Sequence, residues 1–366
     1  MKVQYLDLPA QFKNETLWDE IKGMFETCQF ILGDEVKKFE ANFAALCQTL
    51  FALGTNSGTD ALFFALKALN VGQEDEVITV PNSFVATTGA IIATGAKPVF
   101  VDVGPDYNIN VDLIRSAITK RTKAILPVHL TGNPADMPQI MKIAKEYNLF
   151  VVEDACQAVM ASIHNQPVGS FGDVGCFSLH PLKNLNVCGD GGVITTDSKK
   201  IYEKIKLLRN HGLKNRNEIE FFGYNSRLDT FHAVVANHVM KDLPTITKLR
   251  QRNASIYDKE LKDIDDFITI PPRHKNVMQV FHTYVIQVKN RSKLIKYLDE
   301  HGIETKIHYP IPIHLQKPAQ KLGYKKGAFP VCEEQAEKIL SLPVHQNLVE
   351  EQVYYTANLI KKFYGV

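Results

Sequence analysis

The sequence predicts an α/β protein with a mostly parallel central sheet flanked by helices, followed by a smaller C-terminal α+β domain. Two observations carry this expectation. From about residue 50 to 200, short β-branched runs alternate with stretches whose apolar residues fall at helical spacing, the pattern of strands joined by crossover helices. Several of the runs are almost continuously apolar, as strands covered on both faces are.

The strand candidates, in order, are EVITV (76–80), KPVFVDV (97–103), AILPVHL (124–130), LFVVEDA (149–155), CFSL (176–179) and GGVITT (191–196). Between the earlier ones lie ALFFALKALN, FVATTGAIIATG, VDLIRSAIT and DMPQIMKIAKEY, each with helical periodicity. From ASIHNQPVG (161–169) onward the elements shorten, which leaves room for an antiparallel strand late in the sheet. A long helical region from roughly Asp229 through LRQRNASIYDKEL suits a connector. Beyond it HTYVIQV reads as a strand, RSKLIKYLDEHG as a helix closed by Gly302, and EEQAEKILSL as another helix. The expected division is a large domain over 1–240 and a small one over 241–366.

The chain has 366 residues, with Lys+Arg 42 against Asp+Glu 40 and a formal net charge of +2. That balance argues against a nucleic-acid binder, which concentrates basic charge on one face. No apolar run reaches the ~18 residues of a membrane span. The opening MKVQYLDLPAQFKNE has neither an apolar core nor a small-residue cleavage site, so no secretory leader is expected. Cys28, Cys47, Cys156, Cys176, Cys188 and Cys332 are dispersed without a CxxC pair, and read as reduced thiols. The histidines show no metal-ligand spacing, so no metal is expected. A cytoplasmic enzyme is the expectation that remains.

Three segments could carry chemistry. Asn56-Ser57-Gly58-Thr59-Asp60 stands directly before the ALFFALKAL helix. Free N–H groups and the helix dipole there suit a phosphate, although Ser, Thr and Asp are also ordinary N-caps. Glu153-Asp154-Ala155-Cys156-Gln157 ends the apolar strand LFVV, at the strand end where open α/β sheets bind ligands. A carboxylate buried there needs a positive partner; a helix cap or structural ion pair would equally supply one. Ser178-Leu179-His180-Pro181-Leu182-Lys183-Asn184-Leu185 precedes Gly189-Asp190-Gly191-Gly192. A partly buried lysine there would have a lowered pKa and a usable amine, whereas a solvated loop lysine would not. GDGG is not a GxGxxG fingerprint, which argues against a nicotinamide-dependent oxidoreductase. An anion at a helix start, a ring nitrogen facing a carboxylate and a carbonyl facing a lysine are together the handles of pyridoxal phosphate.

The segments NSGTDAL, EDACQA, SLHPLKNLNVCGDGG, GYNSRLD and HYPIPIH, with the opening YLDL and FILGDEVKKFE, resemble in order and spacing the sugar aminotransferases of the DegT/StrS family. The likeness runs over essentially the whole chain and implies the fold-type I, aspartate aminotransferase-like architecture. By this resemblance Lys183 would hold pyridoxal 5'-phosphate and move the proton, and Asp154 would pair with the pyridine nitrogen. Gln157 would contact the ring hydroxyl, Phe84 would stack on the ring, and Gly58, Thr59 and Ser178 would bind the phosphate. Asn225 would reach the phosphate of a neighbouring subunit, making a homodimer with shared sites. His180, Arg227, His308, Tyr309 and His314 would meet the substrate. LNVCGDGG departs from the commoner LGAxGDGG form of the family, and relatives often carry an aromatic at the place of His180. The implied reaction moves an amino group from L-glutamate, leaving 2-oxoglutarate, to the keto group of a dTDP- or UDP-linked deoxysugar, as in lipopolysaccharide or O-antigen amino-sugar synthesis. The alternatives are an aminotransferase of a free keto-cyclitol and a non-catalytic regulatory protein that binds the cofactor.

Overall fold

A computed structural model describes residues 1–366. The strands β1 (Phe51–Thr55), β2 (Glu76–Thr79), β3 (Lys97–Phe100), β4 (Thr122–Ile125), β5 (Phe150–Asp154), β6 (Val174–Ser178) and β7 (Gly192–Thr196) form one sheet. Its order is β1-β7-β6-β5-β4-β2-β3. The pairs β2–β3, β2–β4, β4–β5 and β5–β6 are parallel, while β7 runs antiparallel to both of its neighbours. Reversal of β7 alone leaves the carboxyl ends of all the other strands along one edge. The late antiparallel strand is therefore present, and it is GGVITT.

β1 has no counterpart among the expected strands. Its sequence, FALGT, carries a glycine and an alanine in place of β-branched residues, so local propensity hides it. Pairing with β7 over all of its residues makes it a strand. Gly54 is required there because a Cβ would lie 2.8 Å from the Leu228 side chain.

The helix Gly58–Ala68 leads from β1 towards β2 and is capped by the Ser57 hydroxyl, which accepts from the Asp60 N–H. Ala61, Leu62, Phe64, Ala65 and Leu66 along it are all buried, as a helix packed between layers requires. The connecting region from Asp229 is a single helix, Thr230–Leu261, so the expected division at residue 240 falls within one continuous element. Beyond it β8 (Ile268–Thr269), β9 (Tyr284–Val288) and β10 (Ile339–Leu342) form a small antiparallel sheet. EEQAEKILSL is thus helical only in its first part. Pro330–Lys338 is the helix, and the fully buried ILSL pairs with β9. RSKLIKYLDEHG is helical over Arg291–Glu300, and Gly302 follows at φ +80, the left-handed position that favours glycine. The amino terminus joins this second half, since Val3 is wholly buried in its core and bridges to Ile303.

Adjacent residues of a strand face opposite sides, so Glu153 and Asp154 diverge at the end of β5. Glu153 is completely buried on the structural side. It accepts the N–H groups of Gly169, Phe171 and Gly172, each at 2.8 Å. His129 Nδ1 accepts from the Ala135 N–H at 3.0 Å, which places the ring proton on Nε2, 3.0 Å from Glu153. Removing this acceptor orphans four buried donors, at about 1–3 kcal/mol each when unsatisfied. Glu153→Ala is expected to destabilise the protein by at least about 3 kcal/mol, read as a lowered denaturant midpoint; a midpoint within error of wild type would contradict this role.

Candidate active site

The carboxyl ends of β1, β2, β4, β5 and β6 open onto one cavity of about 420 Å³. Ser57, Gly58 and Thr59 reach it after β1, Ser83 to Thr87 after β2, and Val128 after β4. Asp154, Cys156 and Gln157 close β5, and Ser178, His180 and Lys183 follow β6. His282, His308 and Tyr309 enter from the second half of the chain.

At the helix start the first N–H groups have no intrahelical partners and the dipole is positive. Gly58 is the residue that lets this backbone approach β6, because a Cβ there would sit 2.8 Å from Ser178 Cβ and 3.0 Å from Cys156 Sγ. Asp60, whose charge would oppose a phosphate, is turned aside and accepts the Ser226 hydroxyl at 2.6 Å.

Asp154 is nearly fully buried. Its Oδ2 accepts the Thr87 hydroxyl at 2.7 Å and its Oδ1 the Cys156 N–H at 3.2 Å. Thr87 in turn lies 2.6 Å from the Ser83 hydroxyl. Two donors hold the carboxylate in place without neutralising it. Gln157 is pinned as well: its Oε1 accepts the Thr131 N–H at 2.8 Å and its Nε2 donates to Tyr309 Oη at 3.3 Å.

The turn carrying Lys183 is tied internally. The His180 N–H meets Ser178 Oγ, the Leu182 N–H meets His180 Nδ1, and the Lys183 N–H meets the His180 carbonyl. Burial lowers the Lys183 amine below the usual lysine range, with Cys156 and Asp154 opposing that shift. Burial also brings His308 down to about 4, aided by the nearby lysines 183 and 306. The Tyr309 hydroxyl is pushed up to about 12 by burial first and by Asp154 second. It therefore keeps its proton at neutral pH. Phe84 is half exposed at the cavity wall, its ring centroid 5.9 Å from that of Tyr309.

Gly58, Thr59, Phe84, Asp154, Gln157, Ser178, His180, Lys183, His308 and Tyr309 are thus brought together. Asn225, Arg227 and His314 are not. Asn225 is exposed outside the cavity, and Arg227 donates to Asn210 Oδ1 at 3.0 Å. His314 is buried, its Nε2 is 2.9 Å from Glu333, and its ring packs edge-on against Phe329. His314 thus stands apart from the cavity within this subunit, with Nε2 engaged by the Glu333 carboxylate. Thr87 and Ser83 are not among the residues the sequence motifs mark, and Cys156 lies in a marked segment without an assigned role. The spacing of Ser83 and Thr87, four residues apart at a helix start, was the available sign of a hydroxyl pair on one face.

The donor set suits pyridoxal phosphate. A positive helix start beside Ser178 could hold the phosphate, an incompletely compensated carboxylate could meet a protonated ring nitrogen, and a buried amine could hold the aldehyde.

Comparison with known proteins agrees. The DegT/DnrJ/EryC1/StrS aminotransferase family matches over residues 12–361. Relatives in sequence include a protein of Geobacillus stearothermophilus named a pleiotropic regulatory protein, 41% identical over 100% of this chain and 99% of its own. Another is a UDP-N-acetyl-3-dehydro-alpha-D-glucosamine 3-aminotransferase of Acidithiobacillus ferrooxidans, 40% identical over 98% of this chain and 97% of its own. The crystal structure of DesV from S. venezuelae superposes with a TM-score of 0.97 at 35% identity, covering 100% of this chain and 99% of that one. The chain belongs to the DegT/DnrJ/EryC1/StrS family and is a pyridoxal-phosphate-dependent sugar aminotransferase.

Proposed function

We propose that the protein transfers the amino group of L-glutamate to the keto group of a nucleotide-linked deoxysugar, the nucleotide being UDP or dTDP. The observation that carries this reading is the placement of the Lys183 amine and the Asp154 carboxylate in one cavity of about 420 Å³. The UDP-sugar named for the Acidithiobacillus relative supports the substrate class.

When bound, pyridoxal phosphate supplies an electrophilic carbon for amines and a ring that delocalises the electron pair left by a departing α-proton. The chain's own residues do the rest. Asp154, held by Thr87 and the Cys156 N–H, keeps a positive charge on the ring nitrogen. Burial makes the Lys183 amine less basic than an ordinary lysine, which suits its Nζ to take a proton from one carbon and return it to another. Gly58, Thr59 and Ser178 would anchor the phosphate, and Phe84 would pack against the ring. Gln157, held by Thr131 and Tyr309, would meet the ring hydroxyl. His180, His308 and Tyr309 border the space left for the sugar, with Tyr309 as a proton-bearing donor to an oxygen.

We infer further that the working unit is a homodimer. Asn225 is exposed and lies outside its own cavity, as a residue reaching the phosphate across a subunit boundary would be. Arg227, beside it and only lightly engaged by Asn210, suits an anionic part of the substrate at the same boundary.

The name of the Geobacillus relative favours a second reading, in which the cofactor is bound without turnover. Absorbance separates the two. Wild-type protein loaded with the cofactor is expected to be yellow, and L-glutamate is expected to shift that band to the pyridoxamine form. An unchanged spectrum would favour the regulatory reading. Lys183→Ala is expected to lose the borohydride-fixable adduct while retaining the fold, and an adduct formed as in wild type would remove Lys183 from its role. For the shared site, Asn225→Ala is expected to weaken cofactor retention about tenfold, the size of one charge-assisted hydrogen bond, as read by dialysis. A wild-type monomer in sedimentation that still retains the cofactor would exclude the cross-subunit contact.

A further inference from the structure

Behind the cofactor cavity lies a second one of about 290 Å³, and the two share Leu182, His282 and His308 as a common wall. No residue of the catalytic set proposed above accounts for its floor. Arg250, in the helix Thr230–Leu261, is only 2% exposed yet faces no carboxylate. Its Nε donates to Gln346 Oε1, and its Nη1 to the carbonyls of Phe281 and His282. Nη2 is left without a protein partner. A buried guanidinium met only by neutral acceptors is poorly compensated, which agrees with the fall of Arg250 to about 10 through burial.

Two further polar atoms of residues lining this cavity are unpaired. Tyr5 Oη and His282 Nδ1 are both buried and without a hydrogen-bond partner, and both residues line this cavity. Buried polar atoms are nearly always paired in native proteins, so open groups on three residues lining one cavity are best understood as waiting for a ligand. Its sign follows from the wall. Lys306 joins Arg250 in lining the space, whereas Glu304 is the one carboxylate there and already accepts the Tyr5 N–H at 3.1 Å. A guanidinium edge and a phenol hydroxyl together match the two oxygens of a carboxylate.

We propose that Arg250 and Tyr5 form a carboxylate-binding subsite, which receives an acidic group of a substrate whose reacting carbon lies across the shared wall at Lys183. The inference rests on the aminotransferase reading for what the acid is used for, but not for its binding. Two sources share this chemistry, the carboxylate of the amino donor and that of an acidic sugar.

Calorimetric titration of cofactor-loaded protein with glutarate, an unreactive dicarboxylate, tests the subsite without turnover, and D-glucuronate serves as the sugar acid. Wild type is expected to bind one of them, and Arg250→Gln to bind it about ten- to hundredfold more weakly, the loss of a charge-assisted pair. Arg250→Lys should recover part of the affinity. Tyr5→Phe removes a single hydroxyl and should weaken binding several-fold even where the arginine variant fails to fold. Loss for glutarate assigns the subsite to the donor, and loss for glucuronate assigns it to the sugar. Binding of neither acid by wild type, or equal binding by wild type and both Arg250→Gln and Tyr5→Phe, overturns the proposal. Failure of glutamate to change the absorbance of wild type would instead overturn the aminotransferase reading, and the calorimetric result would stand apart from it.

Discussion

Two adjacent carboxylates are buried at the end of β5, and the rest of the site is arranged around how each is compensated. An ionised carboxylate withdrawn from water is destabilising by several kcal/mol unless donors or an opposite charge replace the lost hydration. Strand geometry sends Glu153 and Asp154 to opposite faces, so one set of donors cannot serve both. Glu153 is satisfied within the protein, by three backbone N–H groups and His129. That closes the loop Gly169–Gly172 onto the sheet and fixes β5 against its neighbours. Asp154 receives only the Thr87 hydroxyl and the Cys156 N–H. The same strand end is thus finished on one side and left open to a cation on the other.

That asymmetry explains how the fold and the chemistry are connected. Because β7 is the one reversed strand, the segments following β1, β2, β4, β5 and β6 converge on the edge where Asp154 stands. A helix start, an aromatic ring and a lysine turn arrive there from separate parts of the chain, each held by bonds of its own. Lys183 sits in a turn closed by His180 and Ser178, and Asp60 is drawn off the phosphate position by Ser226. Preorganisation of this kind lets a cofactor bind without reordering the groups that meet it. The second cavity continues the theme, since Arg250 is also buried with its charge incompletely met. Both places combine a charged group, a fixed position and a missing partner.

Much of this was legible in the residues. The strands at 76–80, 97–103, 124–130, 149–155, 176–179 and 191–196 correspond to observed ones; the first five end earlier than expected, and the last begins one residue later. Residue type near strand ends singled out the helix start at Gly58, the Asp154 carboxylate and the Lys183 amine, whereas the roles of Gln157 and Ser178 come only from the family resemblance. FALGT escaped notice, as did the strand character of ILSL. Their conformations come from partners distant in sequence, Gly192–Thr196 for the first and Tyr284–Gln287 for the second. The surroundings of His314 have a related origin. Its motif is local, but the Glu333 carboxylate and Phe329 ring that occupy it belong to the following helix region.

By itself, the sequence determined the alternation that makes a mostly parallel sheet and the identity of the lysine, aspartate and glycine that the chemistry needs. Those are properties of residue type and spacing over a few turns of chain. Only the tertiary structure decided that Thr87 holds Asp154, that Glu153 is satisfied on the opposite face, and that Tyr5 and Arg250 share a pocket although they lie 245 positions apart. Burial and hydrogen-bond satisfaction depend on groups brought together across the whole chain, and no local pattern records where those groups will meet.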